Sequence, residues 1–208
     1  MLTLHRVRGV RLVVDGPPAE RPDDTRPGAE YADGFAGEYA DGYVDGYAVV
    51  VDGDRFAAVG PYTELLAAYG ERARSREWDG VLTPGRYEPD GAALLEAAYH
   101  PDPREADELG SEPIRGEALA ALGMTETRWG ASARRGLQRL LATGTTALTG
   151  PFTRPAVRTA VQRSGLRELP GRRPRTLAVG GPADFAVFAA DGSCLATALG
   201  GRLVFRRR

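Results

Sequence analysis

Hydrophobic and polar positions change their period several times along this chain, and the changes divide it into elements. Residues 2–14 interleave long and β-branched apolar side chains with Arg, His and Gly. That pattern predicts a strand, a break at Gly9 and a second strand. Two apolar runs, 47–51 and 55–59, flank Asp52-Gly53-Asp54, the signature of a β-hairpin with an Asp-Gly turn. Pro61 then opens a short amphipathic helix with Leu65, Leu66 and Tyr69 on its apolar face, closed by Gly70. Residues 75–78 and 80–83 read as short strands, 91–99 as a helix and 100–113 as a polar connection with Pro breaks.

The strongest helical period lies at 125–143. Trp129, Ala133, Leu137, Leu140 and Leu141 fall on one stripe, while Arg134, Arg135 and Arg139 fall off it. A buried strand is expected at 145–148 and a helix at 155–164, with Pro in its first turn and Gly165 at its exit. Strand–helix–strand–helix order predicts parallel α/β packing. After a basic break at 171–175, three strands follow, joined by turns at Asp191-Gly192 and Gly200-Gly201. The β pieces at the two chain ends are expected to pair with each other, because three strands alone bury no core.

Between the first strands and the hairpin, residues 15–43 shift to Pro, Gly, Asp and Tyr. "EYADGFAG" (30–37) is echoed by "EYADGYVD" (38–45). Two copies do not make a solenoid, and Asp33, Asp41 and Asp45 lack the ligand spacing of a calcium loop. A flexible surface loop is the expectation.

Composition narrows the chemistry. The chain has 208 residues, 42% hydrophobic and 26% charged, with a net charge of -1. This near-neutral balance supplies no electrostatic reason to bind nucleic acid or an acidic membrane. All 27 basic residues are Arg, so Schiff-base, metal-bridging and phosphate-loop lysines are excluded. The one cysteine, Cys194, sits in an apolar run and reads as a packed small side chain. No stretch approaches the ~20 apolar residues of a membrane span. The first residues read as a strand rather than a signal peptide, giving a cytoplasmic expectation.

The order of pieces resembles a family. "DGYAVVVDGDRFAAVGPYTEL", "GVLTPG", "RWGASARRGLQRLLATGTTAL" and "GGPADFAVFAADGSCLATALGGRLV" are similar to the amidohydrolase superfamily, above all to imidazolonepropionases and aminodeoxyfutalosine deaminases. The resemblance implies a mixed α and β fold. In it, a small β-sandwich, the composite domain, is built from both chain ends, 1–83 and 176–208. The segment 84–175 would then be a truncated βαβα remnant of a (βα)8 barrel. A full barrel takes ~250 residues, so most of it is expected to be missing, with 171–175 as the splice.

The resemblance also implies a metal held by a His-x-His pair after the first barrel strand. Here those two positions are Asp90 and Ala92. The chain has only two histidines. His5 reads as a sandwich residue. Glu88, Asp90 and His100 have the residue types of a two-carboxylate, one-histidine centre, but Glu88 and Asp90 flank Pro89 in an expected loop, where acids are ordinarily solvated. Ser132 in "WGASARRG" follows no strand, so it lacks the sharp turn of a nucleophile elbow.

The reading that follows is an amidohydrolase-like protein without metal ligands, cofactor or catalytic residues, binding a small molecule or a partner. Tyr87, Glu88, Asp90, His100 and Arg154 are its candidate binding residues. One alternative is a hydrolase of non-peptide C–N bonds with an altered site holding a divalent metal. Another is an interaction module whose open strand edges are covered in a homodimer.

Overall fold

The computed structural model describes residues 1–14 and 42–207. The expected loop and the first copy of the repeat therefore lie largely outside the described residues. Tyr43 and Asp45 are the exception, since they belong to a strand.

In chain order the strands begin with β1 (Leu2–Arg6), β2 (Gly9–Arg11), β3 (Val13–Val14), β4 (Tyr43–Asp45), β5 (Tyr47–Asp52) and β6 (Arg55–Pro61). Helix α1 (Tyr62–Tyr69), β7 (Arg74–Glu77), β8 (Val81–Pro84), β9 (Arg86–Glu88) and α2 (Gly91–Leu95) follow. A 3-10 turn (Pro103–Glu105), α3 (Ala106–Leu109), α4 (Gly116–Ala120), α5 (Glu126–Ala142), β10 (Thr145–Thr149) and α6 (Pro155–Ser164) come next. The chain ends with β11 (Arg167–Leu169), β12 (Arg175–Thr176), β13 (Phe185–Phe188), β14 (Cys194–Leu199) and β15 (Arg202–Arg206).

Two sheets face one another, and the six-stranded one pairs strands from both chain ends. One has the order β6-β5-β1-β7, the other β15-β14-β13-β8-β2-β4. They share a core: Val49, Val51 and Phe56 from the first meet Val10, Leu82, Phe185, Val187 and Ala196 from the second. β5 is buried on its other face too, where Ala48 and Val50 join Leu4 and Leu65 of α1. That double burial explains its unbroken apolar run. The Asp-Gly turn after it holds Gly53 at φ +58, the left-handed region that favours glycine. Leu66, expected on the apolar face of α1, is instead 44% exposed, because a helix this short buries only one row.

The third sheet is parallel, in the order β11-β10-β9. One of its faces lies under α5 and α6, where Leu148 packs with Trp129, Leu137, Val157 and Val161. Thr125 caps α5, its hydroxyl accepting from the Arg128 amide at 3.2 Å. Pro155 opens α6 and Gly165 closes it at φ +79. The C-terminal end of α5 docks on the larger sheet, where Thr197 Oγ1 donates to the Leu141 carbonyl at 2.6 Å.

Three local expectations change. The run at 80–83, β8, lies in the six-stranded sheet, antiparallel to β13 and parallel to β2. The chain then steps across at Gly85, where a Cβ would lie 2.0 Å from the Thr146 side chain, and β9 begins the parallel sheet. β11 is a third parallel strand that a two-strand remnant did not include. The helix expected at 91–99 stops at Leu95, since Tyr99 forms a backbone bridge with Ile114. The connection after His100 holds a 3-10 turn capped by Asp102, plus α3. Among the described residues, no helix is long and apolar enough to cross a membrane.

Candidate functional site

The carboxyl ends of the parallel strands are Glu88, Thr149 and Leu169. Tyr87 points its hydroxyl at Thr149 Oγ1 in a short hydrogen bond. The Glu88 carboxylate accepts from the Asp90 amide at 2.9 Å. Asp90 stands exposed at the start of α2 and makes no side-chain cap there. Glu88 and Asp90 are thus tied to each other, while Thr149 joins the Tyr87 hydroxyl to the Glu88 carbonyl, to which it donates at 3.5 Å.

Arg154 and His100 go elsewhere. The Arg154 amide donates to Glu96 Oε1 at 2.6 Å, and Thr153 Oγ1 donates to Glu96 Oε2 at 3.0 Å. The Arg154 guanidinium lies 4.2 Å from the centre of the Trp129 ring. Glu96 therefore ties the end of α2 to the turn before α6. It lies in an ordinary apolar-flanked run, and nothing in the sequence marks it out.

His100 is 3% exposed and wedged against α5, facing Gly136, where a Cβ would lie 2.6 Å from Nε2. Its amide donates to Ser132 Oγ at 2.9 Å and its carbonyl accepts from Arg135 Nε at 2.7 Å. Nε2 lies 2.9 Å from the Leu94 carbonyl, which can only accept, so Nε2 carries the proton and the buried Nδ1 is left without a hydrogen bond. Burial lowers the pKa of this imidazole; the Leu94 bond opposes that, and Arg139, Arg135 and Arg115 add to the lowering. Ser132 thus anchors backbone rather than offering a nucleophile.

His5 is likewise a packing residue. It is 1% exposed, lies edge-on to Phe185, and accepts from Trp78 Nε1 at 3.1 Å. Burial, then the charge of Arg76, lowers its pKa from 6.5 to about 4. Burial raises the Cys194 thiol. Among the described residues, no three His, Cys, Asp or Glu side chains gather where they could hold a metal ion.

Two clefts lie toward the other end of the parallel sheet, around Pro84 and Gly85. One, of about 550 Å³, is walled by Val81, Arg86, Tyr87 and Phe188, with Arg11, Arg172 and Arg175 around it. The second, of about 380 Å³, runs past Thr146, Ala147 and Leu169 to Arg173 and Pro174. It also holds the Arg167–Asp184 ion pair. Of the five candidate binding residues, only Tyr87 lines the first cleft and none lines the second. The sequence signal for the first cleft is the arginine-rich break at 172–175, which supplies Arg172 and Arg175 to it.

Residues 48–71, covering nearly all of the β5–β6 hairpin and the whole of α1, match the family model of the imidazolonepropionase-like composite domain of bacteria. The likeness to that domain rests on these residues. No curated protein matches the sequence. The fold is similar to E. coli guanine deaminase, with 13% identity and a TM-score of 0.51, over 81% of this chain and 35% of that one. It is also matched to A. niger ochratoxinase at 15% identity and a TM-score of 0.45, over 80% of this chain and 29% of that one. A third match is Helicobacter pylori aminofutalosine deaminase, at 13% identity and a TM-score of 0.35, over 72% and 28%. The chain thus spans about a third of the length of the solved structures it matches. The composite-like hairpin lies in the four-stranded sheet, and the parallel strands, which lie outside the family-model match, carry the candidate site.

Proposed function

We propose that this chain is an amidohydrolase-like protein that binds a small molecule and carries out no metal-assisted hydrolysis. Residues 1–83 and 176–208 are its composite domain, and 84–175 its barrel remnant. The observation that carries the reading is the donor set after β9. Water activation takes an ion with three firm protein donors and an open position. Ala92 offers no donor and Asp90 stands exposed. The Glu88 carboxylate is engaged by the Asp90 amide, and Nε2 of His100 by the Leu94 carbonyl. These residues do not fit a catalytic metal.

The test is elemental analysis of protein purified without an affinity tag. Turnover assays then follow on imidazolones, aminated nucleosides and guanine, the last taken from the named activity of the E. coli relative. Zinc, manganese and iron are added in turn. The expected result is no stoichiometric metal and no turnover. One tightly held metal per chain, or turnover that Asp90→Ala abolishes, would establish a remodelled enzyme instead.

A further inference from the structure

The cleft beside Pro84 and Gly85 gathers positive charge in a chain of net charge -1. Among the described residues, four arginines line it and no carboxylate does. They come from separate elements: Arg11 ends β2, Arg86 opens β9, Arg175 opens β12, and Arg172 lies in the segment between β11 and β12. Strand pairing places two of these walls. Arg175 is in register with Val14 of β3, and β2 lies beside β8 in the six-stranded sheet. Arg86 is further held by its guanidinium lying 4.4 Å from the centre of the Phe188 ring.

Guanidinium groups gathered from several rigid elements are suited to oxyanions, which they grip through paired N–H donors. A volume of about 550 Å³ lies within the usual range for small-molecule sites. Val81 and Phe188 add apolar wall, so the ligand has room for a body as well as an acidic group.

We infer that this cleft binds a small molecule bearing a multivalent oxyanion, a phosphate ester or a polycarboxylate. Arg11, Arg172 and Arg175 hold other interactions as well, so the ligand adds to or displaces these. The inference goes beyond the reading above. A metal found in the protein would overturn that reading and leave this one standing.

The experiment is calorimetric titration of the full chain with inorganic pyrophosphate and, separately, with citrate, at low and moderate salt. Binding of either is expected, weakening as salt rises. Preference between the two identifies phosphate or carboxylate as the better fit. Arg172→Gln, an exposed change, is expected to weaken binding about tenfold, as is Arg11→Gln, because one charged hydrogen-bond donor is lost. Arg163→Gln, on α6 away from the cleft, is the control and should leave it unchanged. Thermal unfolding of each ligand-free variant verifies that the fold is intact. Absence of binding by both anions at ~10 mM overturns the inference. So does binding that Arg172→Gln and Arg11→Gln leave untouched, or that Arg163→Gln weakens equally.

Discussion

β5 and β10 are both buried along most of their length, yet they are buried by different means. β5 lies between two cores. Val49 and Val51 face the six-stranded sheet, and Ala48 and Val50 face α1. Its neighbours come from both ends of the chain, so each end completes the other. β10 has one such face, with Leu148 under α5 and α6. On the other, Ala147 packs with Tyr87 and Leu169 in a small cluster. An eight-stranded barrel fills that inner face with layers of side chains from alternate strands all round it. Three strands have no opposite wall, and Arg173 and Pro174 instead share a cleft with Ala147 and Leu169. The first region is built for stability. The second leaves polar, accessible space, which is where binding belongs.

The contrast is broken most severely by emptying the shared core. Phe185 is fully buried against His5 and Phe56. Phe185→Ala is expected to cost ~3–5 kcal/mol, from lost burial and the cavity left behind. Denaturant unfolding measures the loss, and hydrogen exchange should show Val49 and Val51 opening with it. Unchanged protection of β5 would mean that the chain ends do not stabilise one another.

The same core carries a pH dependence. Native His5 takes up its proton only near pH 4, whereas its ordinary value is 6.5. Between these values the unfolded chain holds more protons, so stability falls as pH drops through the window. The loss is up to ~3 kcal/mol. His100, also lowered, acts in the same direction. Unfolding midpoints from pH 7 to pH 4, compared with His5→Phe, provide the measurement. An equal slope in the variant would show that His5 is not responsible.

In the second region the effects are smaller. Ser132→Ala removes the acceptor for the buried His100 amide and should cost ~2 kcal/mol, with tighter loss around α2 than in either large sheet. Tyr87→Phe removes only the hydroxyl bonded to Thr149 and should cost ~1 kcal/mol. A loss as large as that of Phe185→Ala would mean that the inner face of β9 and β10 is as tightly closed as the first core, which would remove the distinction.

Much of this molecule was legible from local pattern. The Asp-Gly hairpin, α5 with its apolar stripe, α6 between Pro155 and Gly165, and the three closing strands all follow from period and turn chemistry, which act over a few residues. That Ala92 can ligate no metal was equally readable, because an alanine side chain has no donor wherever it is placed.

What local pattern could not decide is where partners come from. Whether Val81–Pro84 or Arg86–Glu88 begins the parallel sheet depends on which strands lie alongside, β13 and β2 for one and β10 for the other. The same holds for His100, whose ring is committed to Leu94 and the notch at Gly136. It holds too for the arginine cleft, whose members are spread from Arg11 to Arg175. Period and composition report which side chains seek burial or water. Only the tertiary fold, by closing loops of many tens of residues, sets which of them meet.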